Sequence, residues 1–543
     1  MSHFVSPDWG VLWPPMRQEA HYGDRVVACF AGRPATLHQM LDEAVQRNPD
    51  GDALVCGAER LTYRQLWAQS ARVAAGFAAR GVKAGDRVAL LLGNRIEFVL
   101  ALFAAARLGA ITVPISVREQ TPGLAYMLEH CAAVLLVHEA ELAALLPPPA
   151  QLPALRSRIA AGGACADSEP FDALLAHGAG PEPAPVGEED TAAILYTSGT
   201  TGRPKGAMLT HLGVVHSSMH YQIAMGLGPD DSSIAAVPLS HVTGLVALIT
   251  TMVRAAGKLV IMPAFKAADF LRLAARERMT HTLMVPAMYN LCLLQSDFAA
   301  HDLTRWRIGA FGGAPMPLAP IETLARTVPS LTLMNCYGAT ETTSPTTLMP
   351  AGCNAAHGDT VGTTLGCAEV CVMDDAGREV PRGQTGEIWI RGPMVVPGYW
   401  NNPEATSANL TGGFWHSGDI GSQDEQGYVR VVDRMKDMIN RGGYKIYTIE
   451  VENALYAHPA VQECAVIAKP CPVLGERVHA FVALKAAGTT AEELRDFVKP
   501  RLSDYKVPET FTISTTPLPR NANGKLMKRA MRDELLASLE SPR

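Results

Sequence analysis

Between Tyr196 and Gly206 the chain runs Tyr-Thr-Ser-Gly-Thr-Thr-Gly-Arg-Pro-Lys-Gly. Thr197, Ser198, Thr200 and Thr201 supply hydroxyls, Gly199 and Gly202 supply bare backbone, and Lys205 supplies a cation. Glycine lets a backbone aim its N–H groups at an anion with no side chain in the way, and the hydroxyls and the lysine add donors. Charge-assisted bonds of this kind contribute about 1.5–3 kcal/mol each, so a handful can hold a triphosphate. The loop is not a Walker A loop, because Gly199 and Gly202 are followed by Arg203-Pro204-Lys205 rather than by Gly-Lys-Ser/Thr. An ordinary surface turn is the competing reading, since the same residue types fill loops.

Such a loop needs a rigid platform. The apolar run Ala192–Tyr196 predicts a buried strand leading into it. Upstream, a helix is expected from Thr36 as N-cap, then a strand at 87–92, a helix at 98–108 and a strand at 111–115. That alternation predicts an α/β fold, with a large multi-subdomain N-terminal domain of mostly parallel sheets. Residues 1–34 read as an extension without regular periodicity, and 146–188, rich in Pro, Ala and Gly, as a loop-rich connection. A composition shift near Asp433-Arg-Met-Lys-Asp437 marks a boundary, giving domains at 35–434 and 435–543. In the second, helices are expected at 449–457 and 491–501 and strands at 463–467 and 479–484, a small α+β domain.

Composition narrows the function classes. At 543 residues, with 48% hydrophobic and 18% charged residues, the chain is globular and multidomain. A net charge of −6 gives no basic footprint for nucleic acid. No leader-like start or membrane-length apolar run is visible, and the last residues are not a peroxisomal address, so a cytoplasmic enzyme is expected. Eleven cysteines are scattered without a C-x-x-C pair. Cys367 and Cys371, four apart in a strand-like segment, are expected to share a face but have no paired second set, so metal binding there is disfavoured and reduced, mostly buried thiols are the better reading.

Further segments join the loop in order: Pro238-Leu-Ser-His241-Val-Thr-Gly244, Gly312-Gly-Ala-Pro315, Tyr337-Gly-Ala-Thr-Glu341, Gly418-Asp419 with Asp433-Arg434, and Pro519-Arg-Asn-Ala-Asn-Gly-Lys525. This ordered set, running from about residue 36 to 535, resembles the adenylate-forming superfamily of acyl-CoA synthetases, luciferases and non-ribosomal adenylation domains. The resemblance implies that Thr197–Gly202 and Lys205 hold ATP phosphates, that Thr340 contacts the α-phosphate and that Glu341 holds Mg²⁺. It implies that Tyr337 stacks on adenine, with Gly312, Gly313, Ala314, Asn335, Cys336 and Gly338 around the nucleotide. By the same resemblance Asp419 and Arg434 take the ribose, Lys525 bridges the carboxylate and the α-phosphate, and His241 lies near the acyl group and gates CoA entry. A core histidine and a Thr-Glu helix start are the bland alternatives for His241 and Thr340-Glu341.

The chemistry suits such a set, because a carboxylate attacking a phosphate brings two anions together and needs cations and dipoles where charge develops. In this family the small C-terminal domain is mobile and swings about a hinge between the two half-reactions. Lys436 falls at the hinge, and Gly443 at the pantetheine tunnel, where a Gly-Gly turn is the other reading. Three departures stand out: Ser240 where an aromatic often precedes the histidine, Thr448 where proline is common, and Asp433 where many members have glycine. An amino-acid-activating domain is disfavoured, as no carboxylate follows His241, and so is an inactive ATP-binding scaffold, as every expected catalytic residue is present. A luciferase and a ligase delivering acyl-AMP to a carrier protein stay open. The expected enzyme is an AMP-forming acid–CoA ligase using ATP, Mg²⁺ and CoA on a fatty or aromatic monocarboxylic acid, since Pro238–Leu248 and Tyr337–Ser344 carry no Lys or Arg. A homodimer is one assembly open to it.

Overall fold

The computed structural model of the chain describes residues 11–197, 203–313, 316, 318–520 and 526–540. Contacts divide the chain into two compact units. The first comprises Met1–Cys371, Trp389–His416 and Glu425–Val429, and the second Val372–Ile388, Ser417–Asp424 and Arg430–Arg543.

The first unit is built on two large sheets. A seven-stranded sheet runs in the order Lys205–Thr210, Thr191–Thr197, Ile111–Pro114, Arg87–Leu91, Leu135–Glu139, Ser157–Ala161, Glu169–Pro170. All its pairings are parallel except the edge pair, where Lys205–Thr210 runs antiparallel to Thr191–Thr197. A nine-stranded sheet has a parallel centre of Thr332–Ala339, Ile308–Gly312, His281–Met284, Ser232–Ala235, Lys258–Ile261 and Asp52–Cys56, with antiparallel strands at both ends. Parallel strands are covered on both faces, which is why they read as unbroken apolar runs. The covering helix Ile96–Arg107 is buried at every position but Glu97. Thr36 caps the helix Leu37–Arg47 as expected, its side chain accepting from the Gln39 N–H.

The structure departs from the sequence expectations in three places. The N-terminal extension forms an antiparallel hairpin of Met16–His21 with Arg25–Phe30, turned at Tyr22 (φ 55°) and Gly23 (φ 73°). Alternate residues Arg25, Val27 and Cys29 are buried, a period too short to stand out behind the tryptophans and prolines before it. The 146–188 connection contains the strand Ser157–Ala161, whose Ile159, Ala160 and Ala161 are buried beside Leu135–Glu139. Cys371 lies on the strand Glu369–Met373 but Cys367 precedes it, so the two do not share a strand face. All eleven cysteines are free and seven are buried.

In the second unit, the strands Tyr444–Ile446, Ile439–Arg441, Gly475–Leu484 and Val461–Cys471 pair in that order, and Thr510–Ser514 joins Gly475–Leu484 in parallel. The helices Thr448–Tyr456, Ala491–Val498 and Lys528–Glu540 complete an α+β unit. Its core is Ile439, Ile446, Val451, Leu455, Val466, Val482, Leu494 and Val498. Thr490 and Glu493 form a capping box at the start of Ala491–Val498. Among the described residues no helix is long and apolar enough to cross a membrane.

Candidate active site

The strand Thr191–Thr197 leads into the Gly- and hydroxyl-rich segment and Lys205 follows it, with Thr197 and Lys205 paired across the two strands. Ser198, Gly199, Thr200, Thr201 and Gly202 lie outside the described residues. The far side of the loop is tied down, since the Tyr126 hydroxyl donates to the Pro204 carbonyl (3.1 Å) and the Arg203 guanidinium sits over the Tyr126 ring. Gly206 is required by packing, because a Cβ there would come within 2.8 Å of Ile194 Cγ2.

Glu341 comes to this same place from the other sheet. Its Oε1 accepts from the Tyr399 hydroxyl at 3.1 Å and from Thr197 Oγ1 at 3.4 Å. The Lys205 ammonium lies 5.2 Å above the Tyr399 ring, a cation–π contact. Tyr399 is held by backbone: Met208 N–H donates to the Gly398 carbonyl and Trp400 N–H to the Gly206 carbonyl. Burial, reinforced by the neighbouring Glu341 charge, pushes the Tyr399 phenol well above its ordinary range, so it acts as a donor and not as a phenolate. The sequence reading missed Tyr399, whose only signal is an aromatic pair after Pro397-Gly398, indistinguishable from an ordinary turn.

Thr340 and Glu341 do not start a helix. They leave the strand Thr332–Ala339 in a tight turn that enters the antiparallel strand Ser344–Leu348, with a register shift between Tyr337 and Gly338. Thr343 (φ 49°) and Ser344 (φ 85°) both sit in the left-handed region. A β-branched residue there is strained and persists only when its surroundings hold it. They do: Thr343 Oγ1 donates to the Met394 carbonyl at 2.6 Å, and Ser344 Oγ is 2.8 Å from the Tyr221 hydroxyl. Gly338 has no alternative, because a Cβ would lie 2.1 Å from the Ser344 carbonyl oxygen.

Tyr337, half-buried, and Cys336 lie beside Gly312, which is paired with Cys336 across parallel strands. A Cβ on Gly312 would meet the Cys336 carbonyl oxygen at 2.5 Å, and Gly313 adopts φ 77°. Gly312 thus serves the close approach of two neighbouring strands, whereas Ala314 lies outside the described residues. Asn335 Nδ2 donates to the Thr360 carbonyl, and the buried Cys336 thiol is raised far above its ordinary range, so it is inert.

His241 is half-buried, and its Nδ1 lies 3.1 Å from Thr243 Oγ1 and 3.3 Å from the Thr243 N–H. It precedes Thr243–Thr250, a run of π-helix, a rare conformation concentrated at functional sites. Gly244 permits this entry, since a Cβ would strike the Pro238 carbonyl oxygen at 2.2 Å.

In the second unit Asp419, on the strand Phe414–Gln423, is 7% exposed and pairs with Arg434 Nε at 3.3 Å. Its N–H donates to Ser417 Oγ at 3.0 Å, and Gly418 (φ 66°) donates to Glu387 Oε1 at 3.0 Å. Lys436 is exposed between the strands Val429–Arg434 and Ile439–Arg441. Gly442 (φ 60°) and Gly443 (φ 92°) make the turn of the hairpin joining Ile439–Arg441 to Tyr444–Ile446. Lys525 lies outside the described residues.

Known proteins resemble this chain in sequence and fold. The family model for AMP-binding enzymes matches residues 41–400, and that for the AMP-binding enzyme C-terminal domain matches 450–525. A feruloyl-CoA synthase of Amycolatopsis sp is 36% identical over 490 residues, covering 89% of this chain and 96% of that protein. The long-chain-fatty-acid–CoA ligase FadD13 of Mycobacterium tuberculosis is 32% identical over 484 residues, 88% of this chain and 94% of that one. Among solved structures, the anthranilate CoA ligase AuaEII in complex with anthranoyl-AMP gives a TM-score of 0.85 at 26% identity, covering 93% of this chain and 99% of the other. With both models matched in order and relatives of 32–36% identity aligned along nearly nine-tenths of its length, the chain belongs to the AMP-binding enzyme family of the adenylate-forming superfamily.

Proposed function

We propose that the chain activates a fatty or aromatic monocarboxylic acid with ATP and Mg²⁺ and passes the acyl group to coenzyme A. It is an ATP-dependent, AMP-forming acid–CoA ligase. The observation that carries the reading is the convergence of Glu341, Thr197, Tyr399 and Lys205 at the mouth of the phosphate loop. Carboxylate and hydroxyl oxygens are hard donors of the kind Mg²⁺ takes, and Glu341 would hold the ion with its Oε1 already oriented by two hydroxyls. Bound there, the ion would neutralise charge on the phosphates.

In this reading Lys205 and the loop residues Thr197–Gly202 bind the β- and γ-phosphates, and Thr340 the α-phosphate. Tyr337 stacks on adenine in the space left by Gly312–Ala314, with Asn335, Cys336 and Gly338 supplying its backbone surround, and Asp419 accepts from the ribose with Arg434 beside it. Lys525 binds the acid carboxylate and the α-phosphate together, lowering the repulsion as the oxygen attacks. The domain boundary lies at 434/435, and Lys436 is the hinge about which 435–543 exchange Lys525 for the Gly443 turn, beside which the pantetheine arm passes. His241 lies next to the acyl group.

A panel of aliphatic and aromatic acids, assayed for pyrophosphate release with and without CoA, tests this. A preferred acid should give stoichiometric AMP and acyl-CoA only when CoA is present. Release that ignores CoA would assign the acyl group to another acceptor, and silence with both acid classes would refute the substrate reading. Lys525→Ala should abolish acid-dependent pyrophosphate release while leaving transfer from a supplied acyl-adenylate largely intact.

A further inference from the structure

Two departures noted in the sequence, Asp433 and Thr448, meet inside the second unit. Asp433 is 1% exposed and Thr448 fully buried. Thr448 opens the helix Thr448–Tyr456, and both its N–H and its hydroxyl donate to Asp433, the hydroxyl at 3.1 Å from Oδ1. The Arg434 N–H also donates to Asp433 Oδ1, at 2.7 Å. On the other side, Lys528 Nζ donates to Thr448 Oγ1 at 2.9 Å and pairs with Glu452 Oε1 at 2.7 Å. Glu452 is itself anchored by the Val466 N–H at 2.7 Å.

The direction of these bonds is fixed by chemistry. An ammonium has donors only, so the Thr448 oxygen accepts from Lys528 and its own proton points at Asp433. The result is a buried chain from Lys528 through Thr448 to Asp433. A proline at 448 has neither N–H nor hydroxyl and could make none of these bonds to Asp433. Asp433 precedes Lys436 in the chain, whereas Thr448, Glu452 and Lys528 follow it. Turning the backbone at Lys436 must therefore pull Thr448 off Asp433 and leave a buried carboxylate short of two donors, while Thr448, Glu452 and Lys528 travel together.

We propose that Thr448 and Lys528 are positioning residues that latch Asp433 across the hinge and thereby set the balance between adenylation and acyl transfer. The inference rests on the hinge reading given above. The latch stabilises whichever conformer contains it, and breaking it is part of the exchange. One half-reaction consequently runs with the latch closed and the other with it open.

Thr448→Pro is the cleanest probe. Position 448 is the first of its helix, where proline is tolerated, and Tyr447 (φ −86°, ψ 120°) already has the extended backbone that a following proline demands. Both half-reactions are measured in single turnover on the full chain, using the acid selected by the panel: pyrophosphate release from acid and ATP, and transfer to CoA from a supplied acyl-adenylate. Lys528→Met should move the two rates in opposite directions by a factor of about five, the factor that one net hydrogen bond carries, and Thr448→Pro, which removes two donors, by about thirty. Lys528→Arg should restore the wild-type ratio. A parallel fall in both rates would reduce the network to a structural role, and a ratio within about twofold of wild type would overturn the latch. If Lys528→Met does not fold, Thr448→Pro decides alone. Lys525→Ala separates the two ideas: if it depresses both half-reactions equally the hinge reading fails, and if it separates them while Thr448→Pro does not, only the latch fails.

Discussion

Replacing Tyr399 with phenylalanine removes one oxygen and keeps the ring. The lost group donates to Glu341 Oε1 at 3.1 Å, leaving Thr197 Oγ1, at 3.4 Å, as the remaining hydroxyl on that oxygen. Hydrogen bonds to charged groups contribute about 1.5–3 kcal/mol. A tight hydroxyl–carboxylate bond spans about 2.5–2.7 Å, so a contact at the observed length belongs at the low end, about 1.5 kcal/mol or roughly tenfold in rate. The ring stays beneath Lys205, and that cation–π contact, about 0.5–2 kcal/mol, survives in phenylalanine but not in alanine. Pyrophosphate release measured across a magnesium series should therefore fall about tenfold in Tyr399→Phe at limiting metal, and about thirtyfold in Tyr399→Ala. The phenylalanine deficit should shrink as the metal saturates and takes over the orienting of Glu341. Transfer from a supplied acyl-adenylate should be unchanged. A Tyr399→Phe enzyme that matches wild type at every magnesium concentration, or that loses both half-reactions alike, would refute the reasoning.

Gly443→Leu should stop CoA-dependent turnover and spare adenylation. Its φ of 92° strains any side chain, but no heavy atom lies within 4 Å of an added Cβ, so Gly443→Ala is the milder control, and normal transfer by the leucine variant would make Gly443 a turn residue only. Gly338→Ala places a Cβ 2.1 Å from the Ser344 carbonyl oxygen. It should destabilise by at least the ~1–3 kcal/mol of an overpacked site and slow adenylation, and a variant with wild-type melting and rate would contradict the close-approach argument. Acid should unfold the protein through the helix His211–Ala224, where burial depresses His211 to about 4 and His216 and His220 to about 3. These rings stay neutral in the fold while unfolded histidine protonates near 6.5, so stability present at neutral pH is lost as pH falls from there toward 3. At pH 5, His216 and His220 should each withdraw roughly 2 kcal/mol, and urea midpoints that hold steady from pH 7 to 5 would count against it.

The sequence alone determined the parallel strands, because residues buried on both faces of a sheet leave unbroken apolar runs such as residues 88–91. It also determined the capped helix at Leu37 and the order of the motifs, whose chemistry is carried by residue types at fixed spacing. Boundaries shifted by a few residues where helices fray, as at Val498. The hairpin of 16–30 escaped notice because its buried alternation is short and its partners lie far along the chain: His216 Nε2 accepts from the Phe30 N–H. Only the tertiary structure could decide that Tyr399 meets Glu341, that Thr343 and Ser344 are held in left-handed strain by Met394 and Tyr221, or that Lys528 reaches Asp433 through Thr448. Each of these joins residues far apart in the chain through one or a few hydrogen bonds. A local pattern holds no record of such a bond, because its partner is chosen by the packing of whole elements and not by its neighbours in the chain.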